Sequence, residues 1–183
     1  MSAPDDSLPI FRGEEVVRLM NGVAEQVSAS GFDLGRSFVL GIANGGIALG
    51  DYLARRLGEI RGSGPLPFGV AEISFHRDDI GHRPIPGEVR PTEIPDAVED
   101  RDILLVDDVI ASGRTVRAAL NEIFDQGRPR SVRLAVLLDR GGRRLPLQPD
   151  FTGIRREVPA DRIVRLTLDE EGGDDHRVDL VPR

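Results

Sequence analysis

The sequence predicts an α/β fold, a single domain built on an open, mostly parallel, twisted sheet flanked by helices. Short and nearly continuous apolar runs, typical of strands buried on both faces, occur at residues 38–42, 103–106 and 132–138. Longer segments between them repeat apolar residues at helical spacing. Strands that alternate with helices favour a parallel sheet with right-handed crossovers, and a chain of 183 residues suits one core.

The N-terminal half alternates helices with strands. After an N-terminal arm at residues 1–11, apolar side chains at helical spacing predict an amphipathic helix from about Gly13 to Ser28 that ends near Gly31. The elements expected next are a strand at 38–42, a turn at 43–46, a helix at 47–57, a Gly/Pro-rich connector at 58–67 and a strand at 68–75.

Residues 76–91 are polar, rich in Gly and Pro, and without periodicity. A segment of this length inside a compact domain predicts a mobile functional loop, and simple disorder is the alternative.

The C-terminal half repeats the alternation and then becomes less regular. A helix is expected at 115–126, stopped by Gly127, with a strand at 132–138 after it. The apolar face of that helix is expected to comprise Val116, Ala119, Leu120, Ile123 and Phe124. Short strands are predicted at 163–168 and 177–180, on either side of an acidic turn.

The composition excludes several kinds of chemistry. The chain has no Cys, which rules out disulfides and thiolate catalysis, and its 24 basic residues are all Arg, which rules out a Schiff-base lysine. A net charge of −7 argues against general nucleic-acid binding but leaves a local basic patch open. The acidic start and the lack of a long apolar run predict a cytoplasmic protein without a membrane partner.

The most informative segment is the apolar run 103–106, which leads into two carboxylates, Asp107 and Asp108, and then into a turn of small residues at 111–113. Ligands of open α/β folds bind at the carboxyl ends of strands. The turn's N–H groups and the following helix can hold a phosphate dianion, while carboxylates accept hydrogen bonds from sugar hydroxyls. This combination predicts a ribose 5-phosphate site; alternatively, the acids only end a strand and cap a helix.

The segment VDDVIASGRT resembles the phosphoribosyl-pyrophosphate motif of the type I phosphoribosyltransferases. Its continuation to residue 153, together with DRGGRRLP and FHRDD, resembles the pyrimidine operon attenuator proteins that are also uracil phosphoribosyltransferases. The similarity covers roughly residues 12–180. It implies the type I phosphoribosyltransferase fold, with a small hood formed by the terminal segments, and a homodimer or higher homo-oligomer.

By this resemblance, Asp107 and Asp108 engage the ribose hydroxyls of phosphoribosyl pyrophosphate. The 5-phosphate is expected on the residues Ala111, Ser112, Gly113, Arg114 and Thr115. Ala111 stands where Thr is common in the superfamily, so one hydroxyl contact is absent.

The turn Asn44-Gly45-Gly46 matches the position of the family's pyrophosphate loop. Asn44 stands where related proteins often have Arg, which removes one fixed positive charge. An ordinary strand-to-helix turn is the alternative interpretation.

The residues Arg77, Asp78 and Asp79 resemble the family's flexible catalytic loop, in which Arg77 would neutralise the leaving pyrophosphate; a solvated loop salt bridge is the alternative. Pyrophosphate is expected to leave with Mg²⁺ attached, with no direct metal ligand from the protein, while a base nitrogen attacks the anomeric carbon.

Selection of the base, uracil by resemblance, is expected at the end of the next strand, at Leu137, Leu138, Asp139 and Arg140. The imide of uracil can be matched by main-chain groups. Asp139 and Arg140 could instead form a structural pair.

The resemblance also implies binding of the leader mRNA of pyrimidine genes. The candidate phosphate contacts are Arg140, Arg143, Arg144, Arg155 and Arg156. Gly142 stands where RNA-binding family members often have His, and surface salt bridges are the alternative use of these arginines. A regulator with little catalysis, or a transferase for another base, also stays open.

Overall fold

The computed structural model describes residues 8–42, 45–73, 92–168 and 176–182. The elements in chain order are β1 (Leu8–Arg12), α1 (Glu14–Ala29), β2 (Ser37–Ile42), α2 (Gly46–Arg61), β3 (Phe68–Ala71), β4 (Asp102–Ile110), α3 (Arg114–Gln126), β5 (Ser131–Asp139), β6 (Phe151–Arg155), β7 (Arg162–Thr167) and β8 (Arg177–Pro182). The predicted loop at 76–91 and the first seven residues of the predicted arm lie outside these ranges.

Five parallel strands form the central sheet in the order β3-β2-β4-β5-β6. Successive side chains of β4 point to opposite faces, as the twofold period of a strand requires. Leu104 and Val106 pack in the core formed with α1 and α2, whereas Ile103 and Leu105 pack in the core formed with α3. Both faces are therefore covered, which explains why the strand sequence is continuously apolar and confirms the predicted α/β architecture.

A second, antiparallel sheet of three strands joins the two ends of the chain in the order β1-β8-β7. It confirms the hood expected from the resemblance. Strand β1 lies in the segment predicted only as an arm, and it contains Pro9, a residue type that sheets tolerate in edge strands.

Helix α2 extends beyond its predicted end at Leu57, because Gly58 does not terminate it. A side chain at Gly58 would collide with the carbonyl of Gly64, so close packing explains this glycine. The helix ends at Gly62, whose left-handed backbone, with φ of 72°, closes it by donating its N–H to the Glu59 carbonyl.

Three further expectations need correction. Phe124 was expected on the buried face of α3 but is 56% exposed, since it lies about 100° around the helix from the buried Ile123. Strand β3 ends at Ala71 rather than at residue 75, and β6 was not predicted at all.

None of the helices in the described ranges has the length and apolar character needed to cross a bilayer.

Candidate active site

The two carboxylates lie within the last part of β4, which continues to Ile110 instead of ending before them. The Asp108 N–H donates to Asp107 Oδ1 at 3.0 Å, and the Val109 N–H donates to Asp108 Oδ1 at 2.8 Å. Burial raises the pKa of Asp108, and this effect exceeds the lowering by hydrogen bonds with Asp107 and with the backbone. Asp107 is therefore buried and Asp108 half-buried, and both are held by local hydrogen bonds at the carboxyl end of the sheet.

Gly45 and Gly46 bring the start of α2 against this end of β4. A Cβ on Gly45 would lie well under 3.0 Å from the carboxylate of Asp108, and one on Gly46 would overlap the carbonyl of Val106. Gly41 is constrained in the same way, because its Cβ would lie 2.7 Å from the carbonyl oxygen of Gly46. The structure thus places Gly45 and Gly46 beside Asp108, the predicted ribose-binding acid, and Gly41 is a part of this packing that the sequence did not reveal.

The turn after β4 leads into α3 through Gly113, which has a φ of 86° that favours glycine. The first turn of α3 carries no acidic residue, and its N-cap has no side-chain hydrogen bond. Arg114 N–H donates to Ser112 Oγ at 3.3 Å. The N-terminal end of this helix therefore keeps the positive character that an anion needs.

The residues expected to select the base lie beside this turn, because β5 pairs with β4 in the register Val109 with Leu138 and Ile110 with Asp139. Asp139 accepts a hydrogen bond of 3.0 Å from the Gly141 N–H and forms an ion pair of 2.8 Å with Arg143. The guanidinium of Arg140 donates to backbone carbonyls of 158, 159 and 162 in the chain leading to the hood. Asp139 and Arg140 thus have structural partners other than each other.

The five arginines expected to contact RNA fall into two groups. Arg140 and Arg143 are partly buried and bind backbone carbonyls, and the side chain of Arg143 is only 13% exposed. Arg144, Arg155 and Arg156 are exposed. Arg156 lies over the ring of Phe11 at 5.8 Å, and Arg155 lies 3.8 Å from Asp139.

Some predicted site residues cannot be placed. Asn44 and the catalytic-loop residues Arg77, Asp78 and Asp79 lie outside the described residues. Within the described ranges, no group of three or more His, Asp or Glu side chains forms a metal site.

Comparison with known proteins identifies relatives over most of the chain. The family described as "Phosphoribosyl transferase domain" matches residues 8–168. The chain is 46% identical to the "Bifunctional protein PyrR" of Ralstonia nicotianae, over 73% of this chain and 74% of that protein. It is 42% identical to the protein of the same name from Geobacter sp. strain M21, over 89% and 90%. The solved HGPRT-ase of Leishmania tarentolae in complex with GMP shares the fold, with a TM-score of 0.68 at 17% identity over 98% of each chain.

Proposed function

Because this chain belongs to the phosphoribosyltransferase family, in the branch of the proteins named "Bifunctional protein PyrR", we propose that it is a uracil phosphoribosyltransferase. It would make UMP and pyrophosphate from uracil and phosphoribosyl pyrophosphate. The observation that carries the proposal is the position of the pair Asp107 and Asp108, which lies between the glycines 45 and 46 and the N-terminal end of α3, where we propose that the phosphate binds.

The ribose would bind at the two acids. Hydroxyl groups donate to carboxylates in hydrogen bonds that are roughly twice as strong as neutral ones, and burial strengthens them further. Asp108 is held by the N–H of Val109 and by its contact with Gly45, so its carboxylate is oriented before substrate arrives. Such preorganisation places the hydroxyls, and with them the anomeric carbon.

The 5-phosphate would bind on the turn 111–115. Gly113 and the start of α3 offer N–H groups there, and the hydroxyls of Ser112 and Thr115 add possible donors. The guanidinium of Arg114 is exposed and can approach a dianion from solvent. A phosphate at this end and hydroxyls at the acids would fix the sugar at two points.

The reaction would be a displacement at the anomeric carbon, in which the bond to pyrophosphate breaks, a bond to a nitrogen of the base forms, and the N–H proton of the base passes to the leaving pyrophosphate or to water. When bound, Mg²⁺ would neutralise charge on the pyrophosphate, carried by substrate oxygens and water rather than by a protein cage. Closing the site from water would protect the cationic sugar. Asn44 stays a predicted part of the pyrophosphate turn, and Arg77, Asp78 and Asp79 stay the predicted catalytic loop, in which Arg77 would neutralise the leaving pyrophosphate.

Uracil would be recognised at the end of β5, mainly by main-chain groups of 138–140. The carboxylate of Asp139 is already engaged by the Gly141 N–H and by Arg143, so main-chain groups rather than this carboxylate are the proposed partners of the imide. The register Ile110 with Asp139 puts this strand end next to the ribose-binding segment. This proximity supports transfer between a base here and a sugar on β4.

The test is a base panel. Purified protein with Mg²⁺ and phosphoribosyl pyrophosphate should release pyrophosphate with uracil and much less with hypoxanthine, guanine or orotate. Asp107→Asn and Asp108→Asn should each lower turnover by about tenfold or more, because one charged hydrogen bond is weakened. Their circular dichroism should match wild type. Activity with another base only would refute the uracil assignment, and no activity with any base would favour a binding-only regulator.

A second candidate function is binding of the leader mRNA of pyrimidine genes. The exposed side chains of Arg144, Arg155 and Arg156 support it, as does the word "bifunctional" in the relatives' name. A gel shift with the leader transcript should show sequence preference and a steep salt dependence. Unchanged RNA binding in a variant with all three arginines replaced by Gln would contradict the proposal that these side chains contact the RNA.

We also propose that the protein is a homodimer or higher homo-oligomer, which sedimentation can measure.

A further inference from the structure

Arg143 contacts both halves of the candidate site. We propose that it is a positioning residue that couples binding of the phosphoribosyl group to binding of the base, an inference that rests on the proposed function. Its guanidinium connects the end of β5, where the base would bind, to the turn after β4, where the 5-phosphate would bind.

The contacts of this side chain reach three separate points. Arg143 Nη1 donates to the carbonyl of Ala111 at 2.9 Å, and Nε donates to the carbonyl of Leu147 at 2.9 Å. Nη2 lies 2.8 Å from Asp139 Oδ2 in an ion pair. The side chain is only 13% exposed, so these contacts are shielded from solvent and persist at physiological salt.

The backbone around Arg143 follows the same path. The N–H groups of Arg144 and Leu145 donate to the carbonyl of Ser112 at 3.0 and 3.2 Å, and the N–H of Arg140 donates to that of Ile110 at 3.1 Å. The side chains of Leu145 and Leu147 pack beside Gly113. Residues 140–147 therefore pack along the turn after β4, where we propose that the phosphate binds, and the guanidinium of Arg143 lies between the two segments.

This arrangement has a consequence for the anion site. The carbonyl of Ala111 and the N–H of Ser112 belong to one planar trans peptide, so they point in opposite directions. By holding that carbonyl, Arg143 would fix the direction of the Ser112 N–H, one of the groups proposed to hold the phosphate. The same guanidinium balances the charge of Asp139, so a movement at the base site would be transmitted to the turn.

Lysine cannot replace this function. Arginine offers five N–H donors in a rigid plane, whereas lysine has one ammonium group on a flexible chain. Arg143→Lys would keep a charge opposite Asp139, but one ammonium cannot span Ala111, Leu147 and Asp139 together. The conservative variant thus separates the geometric role from simple charge balance.

The experiment compares Arg143→Lys and Arg143→Ala with a matched control. In the control, Arg55→Ala, the arginine also pairs with an aspartate four residues away, at 2.7 Å to Asp51, but on the exposed surface of α2. Ribose 5-phosphate binding is measured by calorimetry without base, and KM is measured for both substrates. Melting temperature reports the fold of each variant.

Both Arg143 variants should bind ribose 5-phosphate about tenfold more weakly, as expected for losing a charged hydrogen bond that orders the turn. The KM for phosphoribosyl pyrophosphate should rise, and the presence of uracil should alter it less than in wild type. Added guanidinium ion should partly restore binding in Arg143→Ala but not in Arg143→Lys, whose ammonium occupies the site. Arg55→Ala should behave as wild type.

Wild-type affinity for ribose 5-phosphate in a folded Arg143→Lys would overturn the proposal, and this variant keeps the test valid if Arg143→Ala does not fold. The binding measurement is independent of the base. Failure of the wild type in the base panel would therefore refute the proposed function, while the ribose 5-phosphate titrations would still decide the role of Arg143.

Discussion

Replacing Gly45 by Ala tests whether the position of one carboxylate controls catalysis. Gly45 has φ of −80° and ψ of −36°, a helical conformation that alanine adopts without strain. The three atoms nearest to the added methyl group would all belong to the carboxylate of Asp108, well inside 3.0 Å. The mutation therefore acts on the side chain of Asp108 rather than on the backbone.

The size of the effect follows from the geometry. Ordinary van der Waals contact with a Cβ begins at 3.4 Å, so the carboxylate has to retreat by about 1 Å. A misplacement of about 1 Å in an active site costs on the order of a hundredfold in rate, or about 3 kcal/mol in activation free energy. Because the short side chain of Asp108 can rotate, and because alanine restricts the unfolded chain more than glycine, stability should change by no more than about 1 kcal/mol.

The assay is steady-state pyrophosphate release, together with urea unfolding of the same samples. Gly22→Ala is the control, since a methyl group on that helical glycine has open space around it. It should keep wild-type kinetics and raise the free energy of unfolding by about 0.5–1 kcal/mol. The double variant with Asp108→Asn should lose less than the sum of the two single losses, because both changes act on one carboxylate. Turnover of Gly45→Ala within about threefold of wild type would refute the reasoning.

Two predictions concern the buried acids. Burial raises the folded-state pKa of Asp108, so ionisation of this acid opposes folding as the pH rises above the unfolded pKa of about 3.9. Asp108→Asn should therefore have a higher melting temperature than wild type at pH 7. Calorimetry should show this difference shrinking below about pH 4. Burial alone would also raise the pKa of Asp102, but hydrogen bonds from Arg130 and Ser131 outweigh it and lower the pKa. Its stabilisation is thus present above the unfolded pKa and lost as the pH falls through the folded one. Asp102→Asn should reduce stability to urea at pH 7 and flatten the acid limb of the stability profile, with turnover unchanged because Asp102 is at the opposite end of β4.

Local pattern was sufficient to predict the central elements. The apolar run before Asp107 and Asp108 reflects burial on both faces of β4, and the alternation of strands and helices predicts that the strands run parallel. The glycines at 45 and 46 were also identified, but for the freedom of their backbone. The structure adds that they are needed for close approach to β4.

The features that were not predicted depend on partners far away in sequence. Strand β1 is short, exposed and contains Pro9, and it is defined by pairing with β8 at the other end of the chain. Strand β6 carries Thr152 and Gly153 within five residues, so its weak pattern becomes a strand only beside β5. The sequence predicts for Arg143 an RNA phosphate contact or a surface salt bridge, and its contact with Ala111 does not follow from the local pattern because that residue is 32 positions away.

The buried position of Asp108 has two effects with opposite signs. The burial that raises its pKa makes the ionised acid costly in the empty protein, and it also strengthens the hydrogen bonds that a sugar hydroxyl can donate to it. Asp108→Asn should therefore gain stability and lose activity together. Gly45→Ala leaves the charge in place and shifts only its position, so it should lose activity without that gain in stability. The comparison of the two variants separates the contribution of charge burial from that of geometry.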